Sequence, residues 1–474
     1  VACPADVLVN GAVDIADLLA VLSDWGECPA SEPDPAGTLA DATDLGPLDA
    51  AVIERCDRLE PADVDVFRFE VPTDGTVTLR LGDRQAGATM RLVADVDGDG
   101  AFGLGDSVEV RATAGPEDLE IVQALTPGTY WVRLESGVTF TTYALAASFE
   151  AVGANPVADP GAGLATATDL GAVAGGGPAV TVVQGVGPLD QRDVFAFELL
   201  EPARLAATAS GITDPIRLAV GADVDASGSI VGNGSVASDE AVIFDTGGPV
   251  LDGAADLGPG IYWLIVNRFG ALDGSTYAVD LNADAIPTTF DEDPGDTLAE
   301  AADLGTLGAA VIEAREVYGA YDRADIVAVT VDLPRRVTID FAERTDGGRL
   351  ELIADIAGDG TADPSDVVRT RSASGPADLS ETVDLAPGTW WLRVGPQPAG
   401  ATSRYALSLD GPALTVTPDS DPGAAALTAW PMGTVSGTPL VEREIVGPYD
   451  RVDAYRIDAV ADTAARVICD ERTD

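Results

Sequence analysis

Asp-Pro followed by Ala or Gly begins at Asp34, Asp159, Asp293 and Asp421, at intervals of 125 residues (34 to 159), 134 (159 to 293) and 128 (293 to 421). Such intervals are too long for a solenoid unit and match whole domains repeated in tandem. The features between them recur in one order. In the first repeat, Asp63-Val-Asp65-Val precedes Phe67, Phe69 and Val71 at alternate positions. Val77, Leu79 and Leu81 follow, then an acidic loop, Leu125-Thr-Pro-Gly-Thr-Tyr-Trp-Val-Arg-Leu134 and Tyr143-Ala-Leu145. The second repeat gives Asp193-Val-Phe195-Ala-Phe197, a loop at Asp223, Leu257-Gly-Pro-Gly-Ile-Tyr262-Trp263 and Thr276-Tyr277-Ala-Val279. The third gives Asp325-Ile-Val327-Ala-Val329, a loop at Asp355, Leu385-Ala-Pro-Gly-Thr-Trp390-Trp391 and Arg404-Tyr405-Ala-Leu407. The fourth reaches Asp453-Ala-Tyr455-Arg-Ile457 and stops before its loop and final strands. Alternation with Gly and Pro turns, and no sustained helical period, predicts a mainly β chain of tandem antiparallel β-sandwich modules at 34–153, 159–286 and 293–415, with a truncated one at 421–474. That half-module should be open and less stable than the rest.

The acidic loop of the first repeat reads Leu92 to Asp106, LVADVDGDGAFGLGD. Asp95, Asp97, Asp99 and Asp106 occupy positions 1, 3, 5 and 12 of an oxygen-rich calcium loop, and Gly100 at position 6 permits its sharp turn. Position 12 is Asp rather than the longer Glu, and no paired helices flank it, so the loop is not an EF-hand domain. The third repeat keeps Asp355, Asp359, Asp363 and Asp366 but has Ala357 at position 3. The second has Asp223, Asp225 and Ser227, with Gly234 at position 12. The competing reading is a solvated hairpin turn in which Asp and Gly serve backbone geometry.

Charge is lopsided, with 79 acidic against 27 basic residues, a net −52, and every basic residue is Arg. Such a surface repels nucleic acid and anionic membrane and attracts divalent cations. A GC-rich genome or a salty habitat would leave the same composition. Hydrophobic content of 46% is ample for packed cores. No apolar run is long enough to span a membrane. The Val start and the interrupted fourth repeat are read as marks of a longer chain, in which case a missing signal peptide carries no weight. With no His, Ser-His-Asp, Cys-His and HExxH chemistry are ruled out. With no Lys, P-loop, Schiff-base and Ser-Lys chemistry go too. Paired carboxylates could hydrolyse glycosides, but among 79 acids proximity has no specificity. The chain is therefore expected not to be an enzyme.

Residues 1–30 place Leu18, Leu19, Val21, Leu22 and Trp25 at helical spacing, with Gly26 as a C-cap, after a loop holding Asp6, Asn10, Asp14 and Asp17. Cys3 and Cys28 bracket this loop and helix, and a disulfide between them is expected in an exported protein. Zinc is disfavoured by the lack of His or a CxxC pair. The stretch resembles a single dockerin-type calcium repeat, with Leu8 in place of the ligand at position 3. The resemblance implies calcium contacts from those four residues, but cohesin docking normally uses a duplicated surface. Residues 29–35, PASEPDP, form a linker.

From residue 34 onward, the order Asp-x-Phe-x-Phe, Asp/Gly turn, Leu-x-Pro-Gly-Thr-Tyr-Trp and Tyr-x-Leu resembles the bacterial pre-peptidase C-terminal domain. The resemblance implies jelly-roll-type sandwiches appended to exported proteins. It also implies a calcium site built from an acidic N-terminal segment and an Asp-x-x-Asp pair. The matching positions are Asp293 and Asp296 with Asp322 and Asp325, and Asp159 with Asp190 and Asp193. The first module has Asp63 and Asp65 instead of that pair.

In the Tyr-Trp strands, alternation puts Tyr130, Val132 and Leu134 on one face and Trp131 and Arg133 on the other. Trp131, Trp263 and Trp391 would thus be either a stacking platform for sugar or peptide, or surfaces covered by neighbouring chain. The functional expectation is a non-catalytic, calcium-stabilised binding, adhesion or spacer region outside the cell or at its surface. Its partners would be calcium and an extracellular protein or polysaccharide. The rival is an accessory tail of a secreted protease or polysaccharide hydrolase.

Overall fold

A computed structural model describes residues 34–137, 140–155, 158–228, 230, 240–270 and 273–415, with short stretches at 429–434, 440–441, 453–458 and 466–468. The loop and helix expected at 1–30, and most of the fourth repeat, lie outside the described residues. What is described is mainly β. The first unit has nine strands: β1 (Thr43–Pro47), β2 (Ile53–Leu59), β3 (Val64–Val71), β4 (Gly75–Gly82), β5 (Ala88–Val93), β6 (Ser107–Thr113), β7 (Leu119–Leu125), β8 (Gly128–Ser136) and β9 (Thr141–Ala151). They form a five-stranded sheet in the order β1-β3-β8-β5-β6 and a four-stranded sheet in the order β2-β9-β4-β7. Strands β10–β18, within residues 168–285, and β19–β27, within 302–410, repeat both sheets in the same order.

Alternation sets which face each strand buries. In β4, Val77, Leu79 and Leu81 point inward and are fully buried, as are Tyr130, Val132 and Leu134 of β8 on the opposite sheet. The two sheets share one core, and Phe67 of β3 meets Tyr143 of β9 edge-on across it, ring centroids 6.4 Å apart. Each buried aliphatic or aromatic side chain contributes about 1.5–3 kcal/mol. The second and third units have equivalent cores, and Ala320 of the third unit packs into that of the second. The inward aromatic of the Pro-Gly turn strand also satisfies the turn behind it. Tyr130 donates to the Thr126 carbonyl (3.0 Å), Tyr262 to that of Gly258 (2.9 Å), and Trp390, through its indole N–H, to that of Ala386 (3.0 Å).

All strand pairs but one in each unit run antiparallel. The exception is β1, which lies parallel to β3. This strand carries Asp44-Leu-Gly46, where the Gly46 N–H bonds the Asp44 carboxylate at 3.0 Å and Gly46 adopts φ +76°, a conformation that disfavours a side chain. Register slips by one residue there. Asp169-Leu-Gly171 and Asp303-Leu-Gly305 do the same in the next units.

In the fourth repeat, β28 (Trp430–Thr434) pairs in parallel with β29 (Tyr455–Asp458), the counterpart of β1 with β3. Trp430 is opposite Tyr455, as Thr43 is opposite Phe67. Phe67 and Phe69 are buried, whereas Tyr455 and Ile457 are 36% and 43% exposed. Limited proteolysis should therefore cut within 421–474 before it cuts the preceding units. Equal resistance throughout would place those residues in a closed core.

Candidate cation sites

Each unit gathers three carboxylates at the end of its five-stranded sheet. One comes from the Asp-Pro turn (Asp34, Asp159, Asp293), one from the approach to the core strand (Asp63, Asp190, Asp322), and one from that strand or its first turn (Asp65, Asp193, Asp325). In every triad the ligand oxygens lie within 4.8 Å of one another. The third member is in phase with the core residues that follow it, so folding buries it completely. A tyrosine from the facing sheet meets it. Tyr143 donates to Asp65 Oδ2 at 2.6 Å, Tyr277 donates to Asp193 Oδ2, and Tyr405 stands against Asp325. No donor reaches Asp65 Oδ1 or Asp193 Oδ1, and neither oxygen of Asp325 receives a well-formed hydrogen bond.

Burial first, then neighbouring carboxylates, makes these groups hard to ionise. Asp65 is pushed up to about 7, against the pull of the Tyr143 hydrogen bond, with Asp63, Asp57 and Asp34 adding to the rise. Asp193 is pushed up to about 9 by burial and Asp190, and Asp325 is raised well above its usual range by burial and Asp322. Asp190 and Asp322 rise to about 6 and about 7 by burial and by Asp159 and Asp293 respectively. No guanidinium offsets these rises; at Asp190 the Arg192 backbone N–H pulls the other way. A buried carboxylate oxygen without a donor costs stability unless it is protonated or meets a cation. Three oxygen ligands at this spacing, flanked by further acids, suit a hard divalent ion such as calcium.

The triads include both sets of positions implied by the family resemblance, although Asp296 is outside the third one. The first unit assembles Asp34, Asp63 and Asp65 despite its shorter Asp-x-Asp spacing. Sequence reasoning overlooked Glu316, which burial raises to about 8 and which adds to the field at Asp325.

The acidic loops form a second class. In the first, Asp95, Asp97 and Asp106 are grouped. Asp95 accepts the Asp99 and Gly100 N–H groups, Asp106 accepts those of Val96 and Gly103, and Gly100 has φ +73°. Asp99 lies outside the group, and its Oδ1 accepts the Ala101 N–H at 2.7 Å. In the second loop, Asp223 and Asp225 are joined by Glu240, which takes the place of Asp106 and accepts the Val224 N–H. Gly234, at position 12 by spacing, lies outside the described residues. The last ligand sits 17 residues after Asp223 (223 to 240), against 11 in the first loop (95 to 106). An acid placed two residues before a strand valine, as in Asp106-Ser-Val108 and Glu240-Ala-Val242, was the available signal. Ser227 is exposed and outside the group, its N–H donating to Asp225. The third loop gathers no triad among the described residues. Asp355 accepts the Gly358, Asp359 and Gly360 N–H groups, Asp359 accepts from Thr361, and Asp366 accepts from Ile356 and Asp363. With Ala357 at position 3, backbone donors use the carboxylates that remain, as in an ordinary acidic turn.

Trp131, Trp263 and Trp391 are half-buried, each packed against a small apolar cluster on the outer face of its five-stranded sheet. Trp131 packs on the cluster of Leu39, Val66 and Val93, as does the loop residue Phe102, and its indole N–H donates to the Leu39 carbonyl at 3.2 Å. Trp263 and Trp391 have the same setting, with Ile230 and Ala362 in the place of Phe102. Tryptophan and loop residue thus share one apolar cluster in each unit. Asp6, Asn10, Asp14, Asp17, Cys3 and Cys28 lie outside the described residues. Cys56 is disulfide-bonded, although sequence reasoning gave it no partner.

No protein-family model and no curated protein matches the sequence. Solved structures with local likeness include a periplasmic inhibitor of g-type lysozyme from Aeromonas hydrophila, at 12% identity over 23% of this chain and 98% of that one, with a TM-score of 0.18. An archaeal virus protein with a triple jelly roll fold gives 8% identity over 77% and 90%, with a TM-score of 0.18. The PBSX exported protein XepA gives 9% over 52% and 89%, with a TM-score of 0.19. Likeness at that level carries no argument for this chain.

Proposed function

We propose that the chain is a non-catalytic, calcium-stabilised array of jelly-roll-like β-sandwich modules of the pre-peptidase C-terminal type, serving as a binding, adhesion or spacer region of an extracellular or surface protein. The observation that carries this reading is the buried acidic triad, built three times at one place in the fold with an oxygen lacking any donor. A sandwich is favoured over the coil of a β-solenoid by the strand directions. Solenoid coils stack strands in parallel, whereas here one pair in each described unit is parallel and the rest are antiparallel. The fully buried core between the two sheets supports the same choice.

Calcium titrated into the chelator-stripped chain should bind saturably, at several ions per molecule, and raise the melting temperature. Extracellular calcium modules typically bind with dissociation constants of about 10⁻⁴ to 10⁻³ M. At ten to a hundred times that concentration each occupied site adds about 1.4 to 2.7 kcal/mol. No saturable heat and an unchanged melt would overturn the reading. Sedimentation with insoluble polysaccharides or extracellular protein fibres, with calcium and with chelator, separates a binding region from a spacer.

A further inference from the structure

Asp74 belongs to the first unit, in the turn just before β4, yet it is only 4% exposed because the second unit covers it. Its carboxylate accepts the N–H of Gly185 in β11 (Val180–Val186) of that second unit. A Cβ placed on Gly185 would stand 3.1 Å from Asp74 Oδ1. The chain between the units is fixed on both sides. The Val152 N–H bonds the Asp74 carbonyl at 2.9 Å, and Asn155 exchanges backbone bonds with Val183 at 2.6 and 3.1 Å.

The charges closest to Asp74 in effect are Asp190 and Asp159, two members of the second unit's triad, and Asp193 feels Asp74 in return. Buried Asp74 thus adds its charge to a three-carboxylate group of the other unit, in which Asp193 is buried, Asp190 half-buried and Asp159 exposed. Asp193 is fully buried there and its Oδ1 has no donor. Carboxylates brought this close repel strongly in a low-dielectric setting, and a divalent ion among them reverses the sign. We infer that the second unit's cation site is shared between units: Asp74 of the first unit completes it, directly or through a bound water, so that a hard divalent cation such as calcium locks the first junction. This rests on the cation reading of the triads and adds a ligand from a different unit.

The next junction supplies the contrast. The residue just before β13 (Ala203–Ser210), which corresponds to Asp74, is Pro202. Pro202 lines a cleft of about 170 Å³ beside Asp293 and Asp322, together with Pro259 and Tyr321. Direct contacts between the units hold that junction. Tyr321 packs edge-on against Tyr262 at 5.4 Å and donates to the Ile261 carbonyl. Fully buried Asp256 takes Arg204 at 2.8 Å and the Thr345 hydroxyl. At the second junction, then, no acid of the preceding unit stands where Asp74 does at the first.

The test uses the whole chain, stripped of cations and titrated calorimetrically with calcium, as the parent, as Asp74→Asn and as Asp193→Asn. Asparagine keeps an acceptor for the Gly185 N–H and removes only the charge. Asp193→Asn should lose one ion per chain, and Asp74→Asn should weaken one binding event on the order of tenfold while leaving the others alone. In chelator Asp74→Asn should melt above the parent, and in saturating calcium it should not; a merely structural role for Asp74 would not produce that inversion. Hydrogen exchange across 180–186 should slow on adding calcium to the parent and respond much less in Asp74→Asn. If Asp193→Asn loses an ion while Asp74→Asn binds calcium like the parent, the site is not shared and the inference fails. If neither variant changes calcium binding, the cation reading falls and the inference falls with it.

Discussion

Held in chelator, the protein should melt at progressively lower temperature as the pH is raised from about 5 to about 8, and calcium should remove that slope. The folded chain holds Asp190 up to about 6, Asp65 and Asp322 up to about 7, Glu316 up to about 8 and Asp193 up to about 9. In the unfolded chain such groups titrate near 4. Folded values above unfolded ones mean that the native state binds more protons between them. Stability is then complete below about pH 4 and is lost as the pH rises through the folded values. For Asp190 alone, about 6 against about 4 corresponds to a loss on the order of 3 kcal/mol by pH 8. Within a module of this size that lowers the melting temperature by roughly ten degrees. A cation bound to the ionised carboxylates competes with protons and turns the penalty into stabilisation. Sodium chloride at matched ionic strength screens surface charge without entering the triads, so it should recover little of the loss. A chelated protein whose melting temperature is flat or rises from pH 5 to 8 would show that the triads are not buried as charges.

Part of this site was legible in the sequence for a physical reason. Strand alternation has a period of two, so Asp65 two residues before Phe67, Asp193 before Phe195 and Asp325 before Val327 fall on the face that must be buried. An ionisable group in phase with a core face needs a partner, and the recurring Tyr-x-Leu strand supplies only its phenol. The loop spacing likewise placed Asp95, Asp97 and Asp106 together. It could not place Glu240, because an insertion breaks a rule that counts residues. The parallel pairing of β1 with β3 leaves no period to read, since its Asp-Leu-Gly slip interrupts alternation within five residues. Asp74 was illegible for another reason: its burial comes from a different unit, and nothing within its own repeat marks it.

Replacing Trp390 by alanine should cost about 3–5 kcal/mol, and the way that loss is distributed tests how the array is built. The ring is almost completely buried at the centre of the third core, with Val329 opposite it in β21 (Asp325–Val331), and its indole N–H holds the Ala386 carbonyl. Truncation leaves a large cavity and a carbonyl without its donor, in a unit whose total stability is about 5–15 kcal/mol. In a continuous solenoid each coil is stabilised mainly by its neighbours, so such a defect would spread along the chain. Here each unit has its own core, and the third unit reaches the second through Ala320, which joins the second core, Tyr321 on Tyr262, and Thr345 and the Arg404 N–H on Asp256. Hydrogen exchange in full-length Trp390→Ala should therefore speed up in residues 379–385 and 403–410, on strands of the third unit's four-stranded sheet. Residues 75–82 and 141–151 of the first unit should keep the parent rates. Calorimetry should show one transition moving down while another stays in place. Faster exchange spread evenly over all three units would mean that the chain melts as one cooperative body, and the division into independently folded modules would have to be abandoned.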